Sequence, residues 1–362
     1  MSDLSKEVDA KMISPEPDVN GMVWFDASLP PFSLYGFYGV NPYRRMDEAT
    51  AEKVNPGVRR NNYHTAGGRV RFSTDSTRIG VRVQMPYVTK FCHMPITGSS
   101  SFDVYLDTDN GSFFKSVFKP PVTIDSGFEM TAKTQAKGVR SYTLNFPLYS
   151  PVSKLEIGID AGAFLGEGRK YLPIKPIVYY GSSITQGACA SRPGLSYQSI
   201  IARRLNIDYL NLGFSGNALA EPVMNEYIAG LDMSVFVADY DHNAPNTAHL
   251  LATHKNLYLT VRERQPDLPI ILASRPDYIF SVTTSNDRRA VIEDTFRFAR
   301  EQGDRNVWYI DGEGFCRGPY EDSCSTDGTH PNDIGFMMMA ESFCATLREI
   351  FRGMPDAKGE AK

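Results

Sequence analysis

The chain has 362 residues, of which 42% are hydrophobic and 22% are charged, and its formal net charge at pH 7 is -4. This composition is typical of a globular protein with two domains of ordinary size. It contains no long basic run, which argues against nucleic acid as the main partner. No apolar run approaches the ~18 residues of a membrane-spanning helix, so we expect no membrane partner either.

The first segment, residues 1–17, is polar and contains two prolines, which predicts a flexible tail. It has no apolar signal-peptide core, so the protein is either cytoplasmic, or secreted or periplasmic with its leader removed. The chain has five cysteines and no CxxC pair, which argues against a zinc or disulfide framework. Cys316 and Cys324 flank one loop and could pair in an oxidising compartment, but two free thiols are the favoured state.

Residues 18–172 show a hydrophobic period of two. Val70 and Phe72 alternate with polar neighbours, and further runs of this kind lie at 79–85, 102–106, 142–146 and 155–159. Each run is bounded by Gly, Pro, Asp or Ser, and no helical period is visible. Many short strands with one buried face predict an all-β domain of the jelly-roll or sandwich type.

After Pro173 the period changes, and strand-like runs alternate with helical ones. The strands are predicted at 177–180, 207–212, 234–239, 269–273 and 306–310, and the helices at 196–205, 219–231, 247–264, 285–302 and 332–352. This alternation predicts a three-layer α/β/α domain with a five-stranded parallel sheet over residues 173–355.

The first of these strands ends at Gly181 and is followed by two hydroxyls, Ser182 and Ser183. A strand, a tight glycine turn, a serine and then a helix is an arrangement that holds a nucleophile out of a sheet. A Ser/Thr-rich turn without chemistry is the alternative interpretation.

Polar clusters follow the carboxyl ends of the other predicted strands as well. They lie at 213–217, 239–243 and 327–331. Sites of open parallel sheets form outside the carboxyl ends of the strands, so we expect all these clusters at one edge. This agreement favours the catalytic interpretation of Ser183.

A serine hydroxyl needs a base to remove its proton, and a histidine is the natural choice. His330 stands at the start of the last helix, with Asp327 three residues before it. The Asp327 carboxylate can therefore reach the ring nitrogen that does not face the serine and hold the tautomer. The alternative is a helix start at which Asp327 is only a cap.

Acyl transfer also needs donors for a developing oxyanion. We expect the backbone N–H groups of Ser183 and Gly216 and the side-chain amide of Asn243 in this role. Gly216 could instead be a plain turn glycine, and Asn243 could make an Asx turn.

Two further sets of residues have other interpretations. Asp239, Asp241 and His242 could ligate a metal, with Asp322 nearby on another loop, but polar residues at a strand end are common and we expect no metal. Arg192, in the loop after Ser183, could bind a sugar or a carboxylate, and a solvated loop arginine is an equal alternative.

Four segments of this half, taken in order, resemble the four sequence blocks of the SGNH (GDSL-type) hydrolase superfamily. They are residues 181–183, 213–217, 239–243 and 327–331. Its Gly-Asp-Ser block is similar to Gly181-Ser182-Ser183, which implies that Ser183 is the nucleophile, with a serine in place of the usual aspartate. Its last block, Asp-x-x-His, fits Asp327 and His330.

The middle blocks of the superfamily fit less closely. The second-block glycine corresponds to Gly216 and the third-block asparagine to Asn243, but the glycine pair that often precedes this asparagine is replaced by Asp241-His242. The resemblance covers residues 173–352. In addition, Phe102-Asp-Val-Tyr105 is similar to a motif of the N-terminal β-sandwich that one branch of the superfamily carries.

Members of that branch are mostly carbohydrate esterases or acylhydrolases. The resemblance therefore implies a serine esterase that hydrolyses short acyl esters, O-acetyl above all, on carbohydrates, with no cofactor. A lipid or thioester acylhydrolase and a non-catalytic carbohydrate-binding protein are the alternatives. Because the loops at the catalytic edge are mostly short, we also expect part of the β domain to pack beside Ser183.

Overall fold

The computed structural model describes residues 16–134, 137–277, 280–319 and 321–352. The predicted tail over 1–17 lies almost wholly outside the described residues, as do the last three residues of the predicted 173–355 domain. In the N-terminal half the elements are, in chain order, β1 (Met22–Asp26), β2 (Ser33–Tyr35), β3 (Gly39–Val40), β4 (Tyr43–Arg44), α1 (Glu48–Val54), α2 (Pro56–Asn62), β5 (Arg69–Thr74), β6 (Arg78–Gln84), α3 (Ile96–Ser99), β7 (Phe102–Thr108), β8 (Gly111–Phe118), β9 (Gly127–Lys133), β10 (Arg140–Asn145), β11 (Lys154–Asp160) and β12 (Leu165–Glu167).

Ten of these strands form two antiparallel sheets that share a core, and β3 and β4 pair separately as a hairpin. One sheet has the order β1-β11-β6-β9, and the other has the order β12-β5-β10-β7-β8, with β2 also paired to β5. Alternate side chains of both sheets are buried together, including Val70 and Phe72 of β5, Val81 of β6 and Ile157 of β11. The runs of period two in the sequence therefore do bury the apolar face of strands β5, β6, β7, β10 and β11 in a sandwich, as predicted.

Three helices in this half were not predicted, because α1 and α2 are only seven residues long and α3 has only four. The first two show what the sequence does encode. Local capping explains where they begin: Asp47 accepts a hydrogen bond from the N–H of Thr50, Asn55 accepts one from the N–H of Val58, and Pro56 occupies the first turn of α2. Their apolar residues pack into the core of the C-terminal domain instead of the sandwich. Contacts with residues far away in the sequence stabilise these two helices, and the local hydrophobic period does not reveal such contacts.

The C-terminal half has the predicted alternation. Its elements are β13 (Ile177–Gly181), α4 (Ser183–Gln186), α5 (Tyr197–Leu205), β14 (Tyr209–Gly213), α6 (Pro222–Ala229), β15 (Val235–Asp239), α7 (Thr247–Arg264), β16 (Ile270–Ala273), α8 (Val282–Glu301), β17 (Val307–Ile310) and α9 (Asp333–Arg352), with short 3-10 turns between some of them. The five strands form a parallel sheet in the order β14-β13-β15-β16-β17.

The residues of β13 show how the sheet comes to have helices on both faces. Ile177 and Tyr179 are buried with residues of α5 and α9. Val178 and Tyr180 are buried with residues of α6, α7 and α8. Since neighbouring side chains of a strand point to opposite faces, both faces of the sheet are apolar and covered. The predicted fold class, a three-layer α/β/α domain after a β-rich domain, is confirmed. Among the described residues, none of the helices combines the length and the hydropathy that crossing a lipid bilayer requires.

Candidate active site

Ser183 is the first residue of α4, directly beyond the end of β13. Ser182 caps this short helix, because its hydroxyl accepts a hydrogen bond from the N–H of Ile184 at 3.1 Å. The turn is tight enough that a Cβ on Gly181 would lie 2.0 Å from Thr185 Oγ1 and 2.2 Å from the carbonyl oxygen of Asp239. Glycine is therefore required before the two serines, and the sharp turn directs Ser183 toward the carboxyl edge of the sheet.

The structure brings Ser183, His330 and Asp327 together in one hydrogen-bonded chain. Ser183 Oγ lies 2.9 Å from His330 Nε2, and His330 Nδ1 lies 2.8 Å from Asp327 Oδ2. Ser183 is only 7% exposed, whereas the imidazole is half-buried. An imidazole held in this way can accept a proton from the hydroxyl at Nε2 while the carboxylate fixes Nδ1 as the protonated nitrogen.

The backbone around Asp327 holds its carboxylate ionised. Oδ1 accepts hydrogen bonds from the N–H groups of Thr329, at 3.0 Å, and His330, at 2.8 Å. Partial burial opposes ionisation, but these bonds and the His330 ring outweigh it and lower the pKa of Asp327 to about 2. Asp327 is therefore an anion through the whole range in which histidine is neutral, which suits a group that orients the ring.

Gly216 and Asn243 lie on the loops after β14 and β15. Gly216 has a φ of 71° and open space where a Cβ would stand, so its backbone is accessible from solvent. The side-chain oxygen of Asn243 accepts from the N–H of Ala218 at 3.3 Å, which ties the two loops together. Since this bond uses the oxygen, the NH2 end of Asn243 is the one available to donate.

The loop that carries Gly216 is held in place from two sides. The side-chain oxygen of Gln186, in α4, accepts from the N–H of Ser215 at 3.0 Å. Asn61 of α2 donates to the carbonyl of Ser215 at 3.1 Å, and Asn55, which caps α2, donates to the carbonyl of Asn217 at 3.2 Å. The N-terminal half of the chain thus fixes the loop on which one expected oxyanion donor stands.

The β domain reaches Ser183 itself, as expected. The hydroxyl of Tyr149 donates to the carbonyl of Ser183 at 3.2 Å. The ring of His93 lies 5.6 Å from that of His330, and Phe91 lies 5.5 Å from His93 and 5.1 Å from Tyr149, centroid to centroid. Neither His93 nor Tyr149 is singled out by the sequence, because each comes from a loop whose position depends on the docking of the two domains.

A second link from the β domain ends at α4. His64 is buried, with Nδ1 at 3.0 Å from Gln186 Nε2 and Nε2 at 3.1 Å from the hydroxyl of Tyr87. Burial, with smaller effects of Arg45 and Arg60, lowers the pKa of His64 to about 3. His64 is therefore a neutral acceptor for the Gln186 amide, and it leaves the Gln186 oxygen free for Ser215.

Cys189 lies beside Asp327 and His330. Its side chain is buried, its thiol donates to the carbonyl of His93 at 3.5 Å, and burial followed by the nearby charge of Asp327 raises the pKa of the thiol to about 11. It is therefore not an ionised nucleophile. Together with His93, Asp327 and His330 it forms a set of side chains of the metal-ligating types.

Arg192 has its partners within the protein. Its guanidinium lies 3.0 Å from the buried carboxylate of Asp103, donates to the hydroxyl of Tyr105 and lies 3.9 Å from the ring centre of Phe114. The Asp103 carboxylate also accepts from the N–H of Gly194 at 2.9 Å. The Phe102–Tyr105 segment thus anchors the loop after Ser183 to the β domain, and a contact of Arg192 with substrate stays a prediction.

The alternative metal set does not assemble. Among the described residues, Asp239, Asp241 and His242 do not form a group of three ligands. Asp239 accepts instead from the hydroxyl of Tyr197 at 2.9 Å, and burial together with Asp241 raises its pKa to about 8. Burial lowers the pKa of His242 to about 4. Asp239 and His242 therefore stabilise the end of β15 and the turn that follows it.

Comparison with known families and structures gives the context of this geometry. The model of the GDSL-like lipase/acylhydrolase family matches residues 174–348, and a model of the N-terminus of SGNH-hydrolase-type esterases matches residues 22–165. None of the curated proteins matches the chain in sequence.

Three solved structures are similar over almost the whole chain. A Bacteroides ovatus protein described as a GDSL-like lipase is 25% identical with a TM-score of 0.82, and a salicylyl-acyltransferase from a tetracycline biosynthetic pathway is 21% identical with a TM-score of 0.71. An acetyl xylan esterase from the rumen bacterium Butyrivibrio proteoclasticus is 13% identical with a TM-score of 0.58. Each alignment covers 91% of this chain and 98% of the other. The chain therefore belongs to the SGNH hydrolases: residues 174–348 form a domain of the GDSL-like lipase/acylhydrolase family, and residues 22–165 form an N-terminal domain of the SGNH-esterase type.

Proposed function

We propose that the protein is a serine esterase that removes short acyl groups, O-acetyl above all, from carbohydrates, with Ser183, His330 and Asp327 as its triad. The observation that carries this proposal is the continuous chain from Ser183 Oγ to His330 Nε2, at 2.9 Å, and from His330 Nδ1 to Asp327 Oδ2, at 2.8 Å. A nucleophile, a base within reach and a group that orients the base are the three parts that covalent ester hydrolysis requires.

The reaction proceeds in two steps. His330 Nε2 takes the proton of Ser183 as Oγ bonds to the ester carbonyl carbon, and the carbonyl oxygen becomes an oxyanion. The C–O bond to the sugar then breaks, and His330 gives its proton to the departing sugar oxygen. In the second step His330 takes a proton from water, the hydroxide adds to the acyl-enzyme, and Ser183 leaves as the protonated hydroxyl with release of the free acid.

The oxyanion is stabilised by donors from three strand ends. The Ser183 N–H is at the start of α4, where the first N–H groups of a helix have no partner within it. The accessible backbone of Gly216 and the NH2 end of Asn243 supply the other two. These donors are fixed before substrate arrives, since Gln186 holds the Gly216 loop and Ala218 holds Asn243. Such preorganisation is what makes electrostatic stabilisation effective in a transition state.

A carbohydrate substrate is favoured by the aromatic side chains beside the triad. Phe91 is 37% exposed and lies in a row with Tyr149 and His93 that leads to His330. An exposed ring can pack on the C–H face of a sugar while the hydroxyls stay hydrated. The acetyl xylan esterase of the same fold is named for an acetylated polysaccharide, which supports this choice.

Release of acetate from acetylated oligosaccharides by the purified protein tests the proposal, with p-nitrophenyl acetate as a general ester and the Ser183→Ala variant as the blank. We expect turnover of both substrates by the unaltered protein alone. Cleavage of the nitrophenyl ester but not of the sugar esters would favour a lipid or thioester acylhydrolase, to be separated with the corresponding esters. Binding of the sugars without any turnover would favour a non-catalytic carbohydrate-binding protein.

A further inference from the structure

Four side chains of the types that bind transition metals converge beside the triad: His93, Cys189, Asp327 and His330. One ligand atom from each lies within 4.8 Å of the others. Two of the four belong to the triad, His93 comes from the β domain, and Cys189 comes from the loop that follows α4. We call these four residues the His/Cys cluster.

The backbone of Cys189 shows that the thiol is held at this place. Its φ is 70°, in the left-handed region that a residue with a side chain adopts at a cost. The thiol is buried and donates to the carbonyl of His93 at 3.5 Å, so the loop after α4 and the β domain are joined there. The strained conformation and the contact with His93 are two separate features that both fix the sulfur next to Asp327 and His330.

The ligand set suits zinc. Zn²⁺ takes four ligands from cysteine sulfur, histidine nitrogen and carboxylate oxygen in a tetrahedron, in which neighbouring ligand atoms lie roughly 3.3–3.6 Å apart. The widest separation in the cluster must therefore shrink by roughly 1.2 Å. His93 is half-exposed, so its side chain is free to supply that movement. A thiolate and a carboxylate also neutralise the two positive charges of the ion.

We propose that the His/Cys cluster binds Zn²⁺ reversibly and that the bound ion switches the triad off. The ion takes the place of the proton that His330 Nδ1 shares with Asp327 Oδ2, so the neutral ring carries its proton on Nε2 instead, and the Cys189 thiol releases one proton to solvent. Nε2 then cannot accept the proton of Ser183, so His330 cannot act as base. The inhibitory part of this proposal rests on the proposed function, whereas the binding part does not.

Binding is tested on the Ser183→Ala variant, which needs no activity. Titration with Co²⁺, a spectroscopic substitute for Zn²⁺, should give a near-ultraviolet thiolate-to-cobalt absorption band that stoichiometric Zn²⁺ removes. Adding Cys189→Ser should abolish the band and weaken Zn²⁺ binding by at least about 10- to 100-fold, the loss that removal of a partner outside the ligand shell already causes. The matched control is Cys92→Ser, since Cys92 is exposed and its sulfur lies 3.8 Å from His93 Nδ1. A band that survives Cys189→Ser, or that disappears with Cys92→Ser instead, would overturn the proposal.

Inhibition is tested on the active protein in a buffer free of thiols and chelators. Zn²⁺ should inhibit p-nitrophenyl acetate hydrolysis and EDTA should restore it, with the inhibition of each variant measured against its own metal-free rate. Cys189→Ser should shift the inhibiting concentration upward by the same factor as its binding constant, and Cys92→Ser should not shift it. Tight binding of Zn²⁺ with full activity would show that the ion does not switch the triad off. A metal-free protein without activity would instead count against the proposed function.

Discussion

Two neighbouring serines at the end of β13 have different surroundings. Ser183 Oγ contacts His330, whereas the Ser182 hydroxyl accepts from the N–H of Ile184 and caps α4. If Ser183 is the nucleophile, as we propose, Ser183→Ala removes the covalent route and should lower kcat on the order of 10⁴–10⁶-fold. Ser182→Ala should cost about 1 kcal/mol of stability, the usual value of a lost cap, and far less activity.

Steady-state hydrolysis of p-nitrophenyl acetate and urea unfolding of both variants make the comparison. Each substitution removes one hydroxyl group, and the two residues are adjacent, so each variant is the control for the other. If Ser182→Ala were the inactive variant, the assignment of the nucleophile would be wrong.

At the scale of elements, α4 does more than present Ser183. Its last residue, Gln186, links the β domain to the Gly216 loop through His64 and the N–H of Ser215. Gln186→Met keeps the length of the side chain and removes both links, so the loop of the proposed oxyanion donor Gly216 is no longer held. We expect kcat to fall at least about tenfold, as when part of an oxyanion site is lost, with a smaller change in KM.

Gln198 provides the matched control for Gln186. It is also a fully buried glutamine, but its amide donates to the carbonyl of Thr185 at 2.7 Å, and its side-chain oxygen has no hydrogen-bond partner among the described residues, so it does not hold the Gly216 loop. Gln198→Met should lose comparable thermal stability and keep its kcat. Equal losses of kcat in the two variants would mean that Gln186 acts only through general stability.

The loop after α4 is joined to strand β7 by the pair of Arg192 and Asp103. Burial raises the pKa of Asp103, and Arg192 opposes that change, so the carboxylate depends on its partner. Arg192→Ala removes the ion-pair partner of this carboxylate but leaves its hydrogen bonds from Asn145 and Gly194, so we expect a loss of up to about 3 kcal/mol, the low end for broken buried pairs. Urea unfolding measures this loss, and the KM for an acetylated sugar is measured beside it. A raised KM with unchanged stability would instead support a contact with substrate.

At the scale of the whole molecule, buried histidines make stability depend on pH. His254 lies against the ring of Tyr240, and burial lowers its pKa to about 3. In the unfolded chain its pKa is about 6.5, so the unfolded state takes up the proton first as pH falls. The stability that His254 contributes is complete above about pH 6.5 and is lost between there and about pH 3.

His254→Gln should therefore flatten the dependence of unfolding free energy on pH by up to about 1.4 kcal/mol per pH unit between pH 6 and pH 4.5. Urea unfolding at a series of pH values gives the slope. Tyr240→Phe changes the same packed pair without a group that titrates in this range, so it should lower stability and keep the slope. An unchanged slope in His254→Gln would mean that this histidine is protonated in the folded state.

The parallel sheet and its edge could be predicted because they follow from local patterns. The five strands and their helices have strong periods, and residues that follow strand ends must meet at one edge, which is how Ser183 and His330 come into contact. Helix α2 and the approach of His93 to the triad could not be predicted. A seven-residue helix has little intrinsic stability, so the local sequence of α2 does not predict it. The position of His93 is set by the docking of the two domains, which the local sequence does not predict either.

The packing of α1 and α2 bears on how such proteins can be recombined. Met46 and Val58 are buried in the core of the C-terminal domain, and the buried guanidinium of Arg45 donates to the backbone of β14 at the carbonyls of Asn211, at 3.0 Å, and Gly213, at 2.7 Å. Removing all residues before Pro173 would expose the apolar surface that Met46 and Val58 bury. It would also leave the carbonyls of Asn211 and Gly213 without the donor that Arg45 supplies. The two domains are thus not interchangeable modules: a graft that carried only residues 173–352 would lack part of its own interior, so a working chimera has to bring residues 45–62 with it.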